Sequence, residues 1–161
     1  MLRSLRPRAN SQRLRSGHTP EDFPDTVTMN PRSPAASNQR KRFVILRHHF
    51  PDGGNSEFFD HFDLMLEQDS KLATWQLAAI PSLNEAVPAK RLPDHRNVYL
   101  DYEGPVSGDR GSVEQVMSGT YDICQTSDSC LEILMTSGDE SMRLRIVFED
   151  SDTATISRIV N

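Results

Sequence analysis

The residues with the clearest potential for chemistry are a histidine and an aspartate two positions apart, His61 and Asp63. They lie in the segment His-Phe-Asp-Leu-Met-Leu-Glu at 61–67, in which apolar and polar residues alternate as in a half-buried β-strand. Because side chains alternate sides along a strand, the imidazole and the carboxylate project in parallel from one face. Such a pair suits a divalent cation, although a strand with ordinary polar residues on its solvent face fits the same seven residues.

His48 is the residue best placed to join this pair. It follows the apolar run at 43–46, which predicts a short strand, and a turn-rich loop leads from there to His61. If the ends of that loop lie close together, His48 lies beside His61 and Asp63 and completes a set of two imidazoles and one carboxylate. The neighbouring His49 is the alternative ligand if the His48 side chain points away.

A second constellation lies farther along the chain, where Tyr99 follows His95 by four residues. A cationic imidazole and a phenol can hold an anionic substrate next to a metal ion. A single histidine is more often an ordinary surface residue, so this pair gains weight only from its context.

The segments around these residues predict a mainly β fold. Short alternating runs recur between polar turns, and no helical stripe of useful length occurs. Seven or eight short strands of this kind indicate a small closed or nearly closed antiparallel β-barrel with few short helices. Residues 81–93 have no clear period and predict a connection. Strands are predicted at 43–46, 61–67, 71–79, 97–102, 119–124, 130–136, 141–149 and 153–160.

Charge divides the chain into two parts, a basic arm at 1–40 and a domain at 41–161. The first 42 residues, which are the arm and the two residues after it, hold nine Lys or Arg and three acids. They contain several Pro and Ser and few large apolar residues, a composition that predicts disorder. The remaining residues hold nine basic and twenty acidic side chains. Such an acidic body is a poor general binder of polyanions, so a contact with nucleic acid needs a metal, a local basic site or the arm.

Composition also limits where the protein is expected to work. No run of eighteen apolar residues predicts a membrane span, and the N-terminus lacks the apolar stretch of a secretory signal. Two cysteines, Cys124 and Cys130, are too few for a disulfide framework or a zinc site, which favours a reduced cytoplasmic protein. We expect a monomer.

Two alternatives stay open for the first eighteen residues: a mitochondrial transit peptide, or a translated leader upstream of a true start at Met29.

Several blocks of the chain match the motifs of one protein family in the same order. They are Phe-Val-Ile-Leu-Arg-His at 43–48, His-Phe-Asp-Leu-Met-Leu-Glu at 61–67, Trp75, Pro-Ser-Leu at 81–83, Asp-His-Arg-Asn-Val-Tyr-Leu-Asp-Tyr-Glu-Gly at 94–104 and Gly-Thr-Tyr at 119–121. Across residues 43–122 the chain therefore resembles the 3′-phosphoesterase domain of bacterial DNA ligase D, as a divergent, stand-alone member.

The resemblance implies a compact β-barrel with a crescent groove and a manganese-dependent activity in DNA end repair. That activity trims 3′ ends, removing a terminal ribonucleoside and then the 3′-phosphate. By position, His48, His61 and Asp63 would bind Mn²⁺ or another divalent cation such as Zn²⁺. His95 would contact the scissile phosphate, and Tyr99 would support that contact. The implied partners are DNA or RNA–DNA 3′ ends and a DNA repair ligase or polymerase.

Two residues depart from the family pattern on the face that carries the metal ligands. Met65 stands where the family has an arginine that can grip two phosphate oxygens, and Leu46 stands where it has a glutamine. The phosphate clamp is therefore depleted, and Arg47, Arg96 or Arg110 could supply a replacement. If the face around Met65 is open, Met65→Arg should raise activity; if Met65 packs in a dry pocket, the change should destabilise the protein.

Three hypotheses about function follow from these observations. The first is a metal-dependent phosphoesterase of nucleic-acid 3′ ends, weakened by the loss of the arginine. The second is a non-catalytic module that keeps the metal pocket and binds ends or a repair partner. The third is a small barrel with incidental histidines, which the matching order of the blocks disfavours.

Overall fold

The computed structural model describes residues 40–51 and 59–160, which form nine β-strands and a short 3-10 helix at Asn97–Leu100. The strands are β1 (Lys41–His49), β2 (His61–Gln68), β3 (Lys71–Leu77), β4 (Ala86–Arg96), β5 (Gly104–Pro105), β6 (Ser112–Thr126), β7 (Cys130–Ser137), β8 (Glu140–Phe148) and β9 (Thr153–Ile159). The predicted arm at 1–40 lies outside the described residues, except for Arg40. No helix in the described ranges is long and apolar enough to cross a lipid bilayer.

Eight of the strands close into an antiparallel barrel. Their order is β1-β2-β3-β4-β9-β8-β7-β6, and β6 returns to pair with β1. The length of β6 makes closure possible, because its first part pairs with β1 and its last part pairs with β7. The two-residue β5 pairs with the start of β6. The predicted fold class, a mainly β protein built on a small closed antiparallel barrel, is confirmed.

Alternation along the strands fills the barrel interior. Leu64 and Leu66 of β2 lie in the central apolar cluster, and Leu144 and Ile146 of β8 join them there. Each fully buried side chain of this kind contributes about 1.5–3 kcal/mol to the free energy of unfolding. Polar residues of the same strands are left on the outer face, so the barrel interior is a packed core and the candidate site lies outside it.

A second apolar cluster lies outside the barrel wall. It is built from residues of β1, β2 and β3 that alternate with the interior ones, and Leu100 of the 3-10 helix and one residue of β6 complete it. We call this set the outer cluster: Val44, Leu46, Met65, Leu72, Leu100 and Val113. Part of the outer face of β1 and β2 is therefore covered by protein and not by water.

The structure differs from the sequence predictions in three segments. The strand predicted at 119–124 is part of β6, which already begins at Ser112. The predicted connection at 81–93 is largely the strand β4, which Pro88 and Pro93 disguise because proline lacks the N–H of a ladder residue. The predicted strand at 97–102 begins with the 3-10 helix instead, and its residue Leu100 enters the outer cluster. Burial of that leucine outweighs the extended preference of the β-branched and aromatic residues beside it.

Candidate metal centre

Three of the predicted site residues lie together on the outer face of β1 and β2. His48 near the end of β1 lies directly opposite His61 at the start of β2, and Asp63 follows on the same face. The two imidazole rings are 4.9 Å apart between centroids. His48 Nδ1 lies 3.9 Å from Asp63 Oδ2, and His61 Nε2 lies 3.6 Å from Asp63 Oδ1. We call these three residues the triad.

Backbone carbonyls hold both imidazoles in defined orientations. His48 Nε2 donates to the Arg110 carbonyl oxygen at 2.5 Å, and His61 Nδ1 donates to the Phe59 carbonyl oxygen at 2.7 Å. In a neutral imidazole the nitrogen that does not donate carries a lone pair. His48 Nδ1 and His61 Nε2 therefore present lone pairs toward Asp63. A hydrogen-bond acceptor behind each imidazole is the usual arrangement for histidines that bind metal.

The Asp63 carboxylate is almost completely shielded from water, with 4% of the residue exposed. Its Oδ1 atom receives no hydrogen bond from the described residues. A buried carboxylate that faces two lone pairs is unfavourable unless a cation lies between them. A proton or a metal ion can supply the positive charge at the point where the three acceptors converge.

The two imidazoles differ in their affinity for a proton. Burial lowers the pKa of His61, but the Asp63 carboxylate and the Phe59 carbonyl outweigh burial and place this pKa above its ordinary value. For His48, burial is the largest influence and holds the pKa below its ordinary value despite the Arg110 carbonyl. Of the two imidazoles, His61 is therefore the one that binds a proton more readily in the metal-free site.

The loop between β5 and β6 brings the Arg110 carbonyl to His48. The Val106 N–H donates to the Gly111 carbonyl at 2.8 Å and closes this loop. Gly111 has a φ of 75°, and a Cβ atom there would lie 2.1 Å from the His49 carbonyl oxygen. Only glycine allows the loop to approach β1 this closely, and that approach orients His48.

His49, the alternative ligand, has a different partner. Its Nδ1 lies 2.8 Å from Asp60 Oδ2, and the Phe50 N–H donates to the other Asp60 oxygen at 2.9 Å. The hydrogen bonds from Phe50 and His49 hold the pKa of Asp60 below its ordinary value. The structure therefore favours His48 over His49 as the ligand beside His61.

His95 and Tyr99 form a pair of their own. Their rings are 5.5 Å apart in an edge-to-face arrangement, and the Tyr99 ring meets the Tyr102 ring in the same way at 5.8 Å. His95 Nδ1 lies 2.9 Å from the Pro93 carbonyl oxygen. Among the described residues, no hydrogen bond or ring contact joins this pair to the triad. Their role beside a scissile phosphate stays a prediction.

The three arginines considered as a replacement clamp have other surroundings. Arg47 lies 3.6 Å from Asp60, and the Arg110 guanidinium donates to the Ser107 carbonyl at 2.8 Å. Arg96 lines a separate cavity of about 370 Å³ next to the 3-10 helix. Within the described part of the chain, none of these guanidinium groups forms an ion pair with the triad. Their role in substrate binding stays a prediction.

Both departures from the family pattern are buried next to the triad. Met65 is 1% exposed, Leu46 is 0% exposed, and both belong to the outer cluster. Leu46 lies opposite Asp63 in the register of β1 and β2, and Met65 is the next residue on the face of Asp63. The surroundings of Met65 are thus a dry pocket, so the structure supports the expectation that Met65→Arg destabilises the protein.

Sequence reasoning missed the side of the site that β3 and β4 form. Gln76 lies opposite Asp63 on β3, and Lys90 lies opposite Gln76 on β4. Lys90 occurs in the segment whose sequence predicts a connection, so no face could be assigned to it. The carbonyl groups of Phe59 and Arg110 were missed because backbone groups leave no signal in a pattern of side chains.

The triad offers three ligand atoms within 4.8 Å of one another. Two neutral imidazole nitrogens and one carboxylate oxygen suit a divalent cation such as Mn²⁺ or Zn²⁺ and leave coordination positions for water or a phosphate oxygen. No protein-family model matches this chain, and no curated protein matches it either. A function for this chain therefore has to be inferred from the geometry and chemistry of its own residues.

Proposed function

We propose that this protein is a divalent-metal-dependent phosphoesterase that acts on the 3′ ends of DNA. The observation that carries the proposal is the triad, in which two imidazoles held by backbone carbonyls converge on a buried carboxylate that lacks a donor. The resemblance of residues 43–122 to the 3′-phosphoesterase domain supports the same three ligands and supplies the substrate class.

Each part of the site has a chemical role in this proposal. His48 Nδ1, His61 Nε2 and the Asp63 carboxylate hold the cation, Mn²⁺ or a similar ion. Such an ion would neutralise charge on a phosphate oxygen and lower the pKa of a water molecule. The carbonyls of Arg110 and Phe59 keep the imidazoles in the tautomers that can ligate, and the outer cluster excludes water from one side.

A non-catalytic binding module is the second candidate, and the burial of Met65 and Leu46 favours it. The cation site is retained without the arginine that would grip a phosphate in two places. Removal of one such contact to a transferring phosphate reduces the rate by about a hundredfold or more. A protein of this kind would bind a 3′ end, or a DNA repair ligase or polymerase, without hydrolysis.

An assay on a short DNA duplex with one 3′-phosphate distinguishes the two candidates. A phosphoesterase should release phosphate with Mn²⁺; His61→Ala should abolish that release, and His49→Ala should retain it because His49 contacts Asp60. A binding module should bind the same duplex with Mn²⁺ and release no phosphate. A calorimetric titration that detects no Mn²⁺ binding to the parent protein would contradict both candidates.

A further inference from the structure

The outer face of the barrel continues from the triad across β3, β4 and β9. Asp63 lies opposite Gln76, and Gln76 lies opposite Lys90. Lys90 in turn lies opposite Thr153 of β9. Neighbouring strands are about 4.8 Å apart, so the backbones at Asp63 and Lys90 are separated by about 10 Å. These residues form a row across the sheet that begins at the triad.

An open groove of about 530 Å³ follows this row. Gln76, Lys90 and Thr153 line it, together with Phe59, whose carbonyl holds His61. Phe59 is 46% exposed, and its ring lies 5.8 Å from the His61 ring. An exposed aromatic ring is a platform on which a nucleobase can stack. The volume is that of a site for one small molecule or one nucleotide.

Lys90 contributes one positive charge to the lining of this groove. Among the described residues Lys90 takes part in no ion pair, whereas Lys71 lies 2.5 Å from Asp94. The domain as a whole is acidic, so this cation does not belong to a broad basic surface. An unpaired lysine two strands away from Asp63 is suited to a phosphate next to the one at the metal.

Two acids border the groove on the side of β9. Glu149 and Asp152, in and beside the turn between β8 and β9, contribute to the lining. Their carboxylates repel further phosphate groups, so a strand that binds here has to leave the open groove at Lys90 and not continue past β9. The distribution of charge therefore suits a single nucleotide between the triad and Lys90.

We propose that this groove binds the last nucleotide of a DNA strand. The 3′-phosphate lies at the triad, the base stacks on Phe59 and the phosphate on the 5′ side contacts Lys90. This assignment rests on the proposed function, because it needs a phosphate at the triad. It makes an unpaired 3′-terminal nucleotide the preferred substrate, since a base held in a duplex cannot stack on Phe59.

Fluorescence anisotropy in the presence of Mn²⁺ tests this assignment. The probe is a labelled single DNA strand whose 3′ end carries a methylenephosphonate, which cannot be hydrolysed. Lys90→Gln should weaken binding about tenfold and reduce the salt dependence by about one phosphate contact, and Lys90→Arg should restore both. Phe59→Ala should weaken binding about tenfold. Arg158→Gln removes an exposed cation that lines a different cavity, and it should bind like the parent.

Calorimetric Mn²⁺ binding checks that the triad is intact in each variant. If Lys90→Gln and the parent bind the strand equally, the groove assignment is wrong and the proposed function stands. If the parent does not bind the strand with the 3′-methylenephosphonate, the assignment and the proposed function both fail. If Phe59→Ala loses Mn²⁺ binding, the comparison of Lys90→Gln with Lys90→Arg decides alone.

Discussion

Two neighbouring patches on the outer face of β1 and β2 have opposite chemistry. The triad buries His61 and Asp63 and partly buries His48, while the outer cluster, one step along the same strands, buries Leu46 and Met65. Both patches are shielded from water, since Asp63 is 4% exposed and Met65 is 1% exposed. Burial by itself therefore does not decide which residue types occupy this face.

The two patches differ in what they contribute to folding. A buried methionine or leucine side chain stabilises the fold by about 1.5–3 kcal/mol. A buried polar atom without a partner costs about 1–3 kcal/mol, and Asp63 Oδ1 is such an atom. The outer cluster shows that this face accepts apolar residues, so the fold does not require the triad to be polar. The polar character of the triad therefore needs a reason other than the stability of the fold, and the bound cation that we propose is such a reason.

Asp63→Asn should give the largest effect, on metal binding and not on folding. Loss of the carboxylate should lower Mn²⁺ affinity by about a hundredfold or more and abolish the rise in Tm that Mn²⁺ gives the parent. Without metal, at a pH above the pKa of His61, the variant should be at least as stable as the parent, because the amide can donate to a facing imidazole nitrogen. Calorimetry and thermal melts with and without Mn²⁺ measure both quantities.

Asp60→Asn is the matched control for that change. Asp60 accepts hydrogen bonds from His49 and Phe50 at the end of the same strands, so its replacement should lower stability and leave Mn²⁺ affinity unchanged. A metal-free Asp63→Asn protein that unfolds more easily than Asp60→Asn would show that the triad stabilises the fold, which would contradict the difference drawn between the two patches.

Met65→Arg should disrupt the outer cluster without restoring a phosphate clamp. A guanidinium without a partner in this pocket should lower the free energy of unfolding by about 3 kcal/mol or more. Met65→Leu keeps the volume and should cost less than about 1.5 kcal/mol. Denaturant unfolding measures both values. A stable Met65→Arg protein with raised phosphoesterase activity would show that the cluster opens and the arginine reaches the triad.

Gly111→Ala should affect the triad through the loop that holds His48. The added Cβ would lie 2.1 Å from the His49 carbonyl oxygen, so the loop must shift and the Arg110 carbonyl must move with it. Mn²⁺ affinity should fall about tenfold. Gly138→Ala is the control, because it has a φ of 57° with no atom within 4 Å of the new Cβ. Parent-like affinity in Gly111→Ala would show that this carbonyl does not orient His48.

The smallest expected effect is a pH dependence of metal affinity. Burial lowers the pKa of His61, but Asp63 and the Phe59 carbonyl raise it above 6.5 overall, so a metal ion must displace a proton there. Mn²⁺ affinity should therefore increase by up to about tenfold per pH unit as pH rises through this pKa. The pKa of His48 lies below 6.5 because of burial, so His48 should release little proton. Calorimetry in two buffers should count about one released proton.

Without metal, the stability of the protein should instead decrease as pH rises through the pKa of His61. A raised pKa at His61 contributes stability that is complete below 6.5 and is lost as pH rises through the folded-state pKa. The lowered pKa of His48 changes stability only below pH 6.5, so it does not contribute to this decline. Mn²⁺-saturated protein and Asp63→Asn should lack the decline. A metal-free parent whose Tm rises as pH increases above 6.5 would show that His61 does not hold this proton.

The residues that share a face of each strand could be predicted from the sequence alone. Parity along the chain was enough to predict that Leu64 and Leu66 enter the core while His61 and Asp63 project together on the other side. His48 could be placed beside them because it ends one strand and a loop leads to the next. These features depend on local geometry, which a period of two residues specifies. The strand β4 was not predicted because its two prolines mask that period.

What covers the outer face depends on tertiary contacts, which the strand pattern does not encode. Parity places Met65 on the face of Asp63, but it does not indicate that Leu100 and Val113 pack there and make the pocket dry. The carbonyl of Arg110 at His48 likewise depends on a loop from a distant part of the chain. Such contacts arise when the 3-10 helix and the β5–β6 loop pack against the closed barrel. A strand pattern can therefore predict a polar site without predicting the apolar cluster beside it.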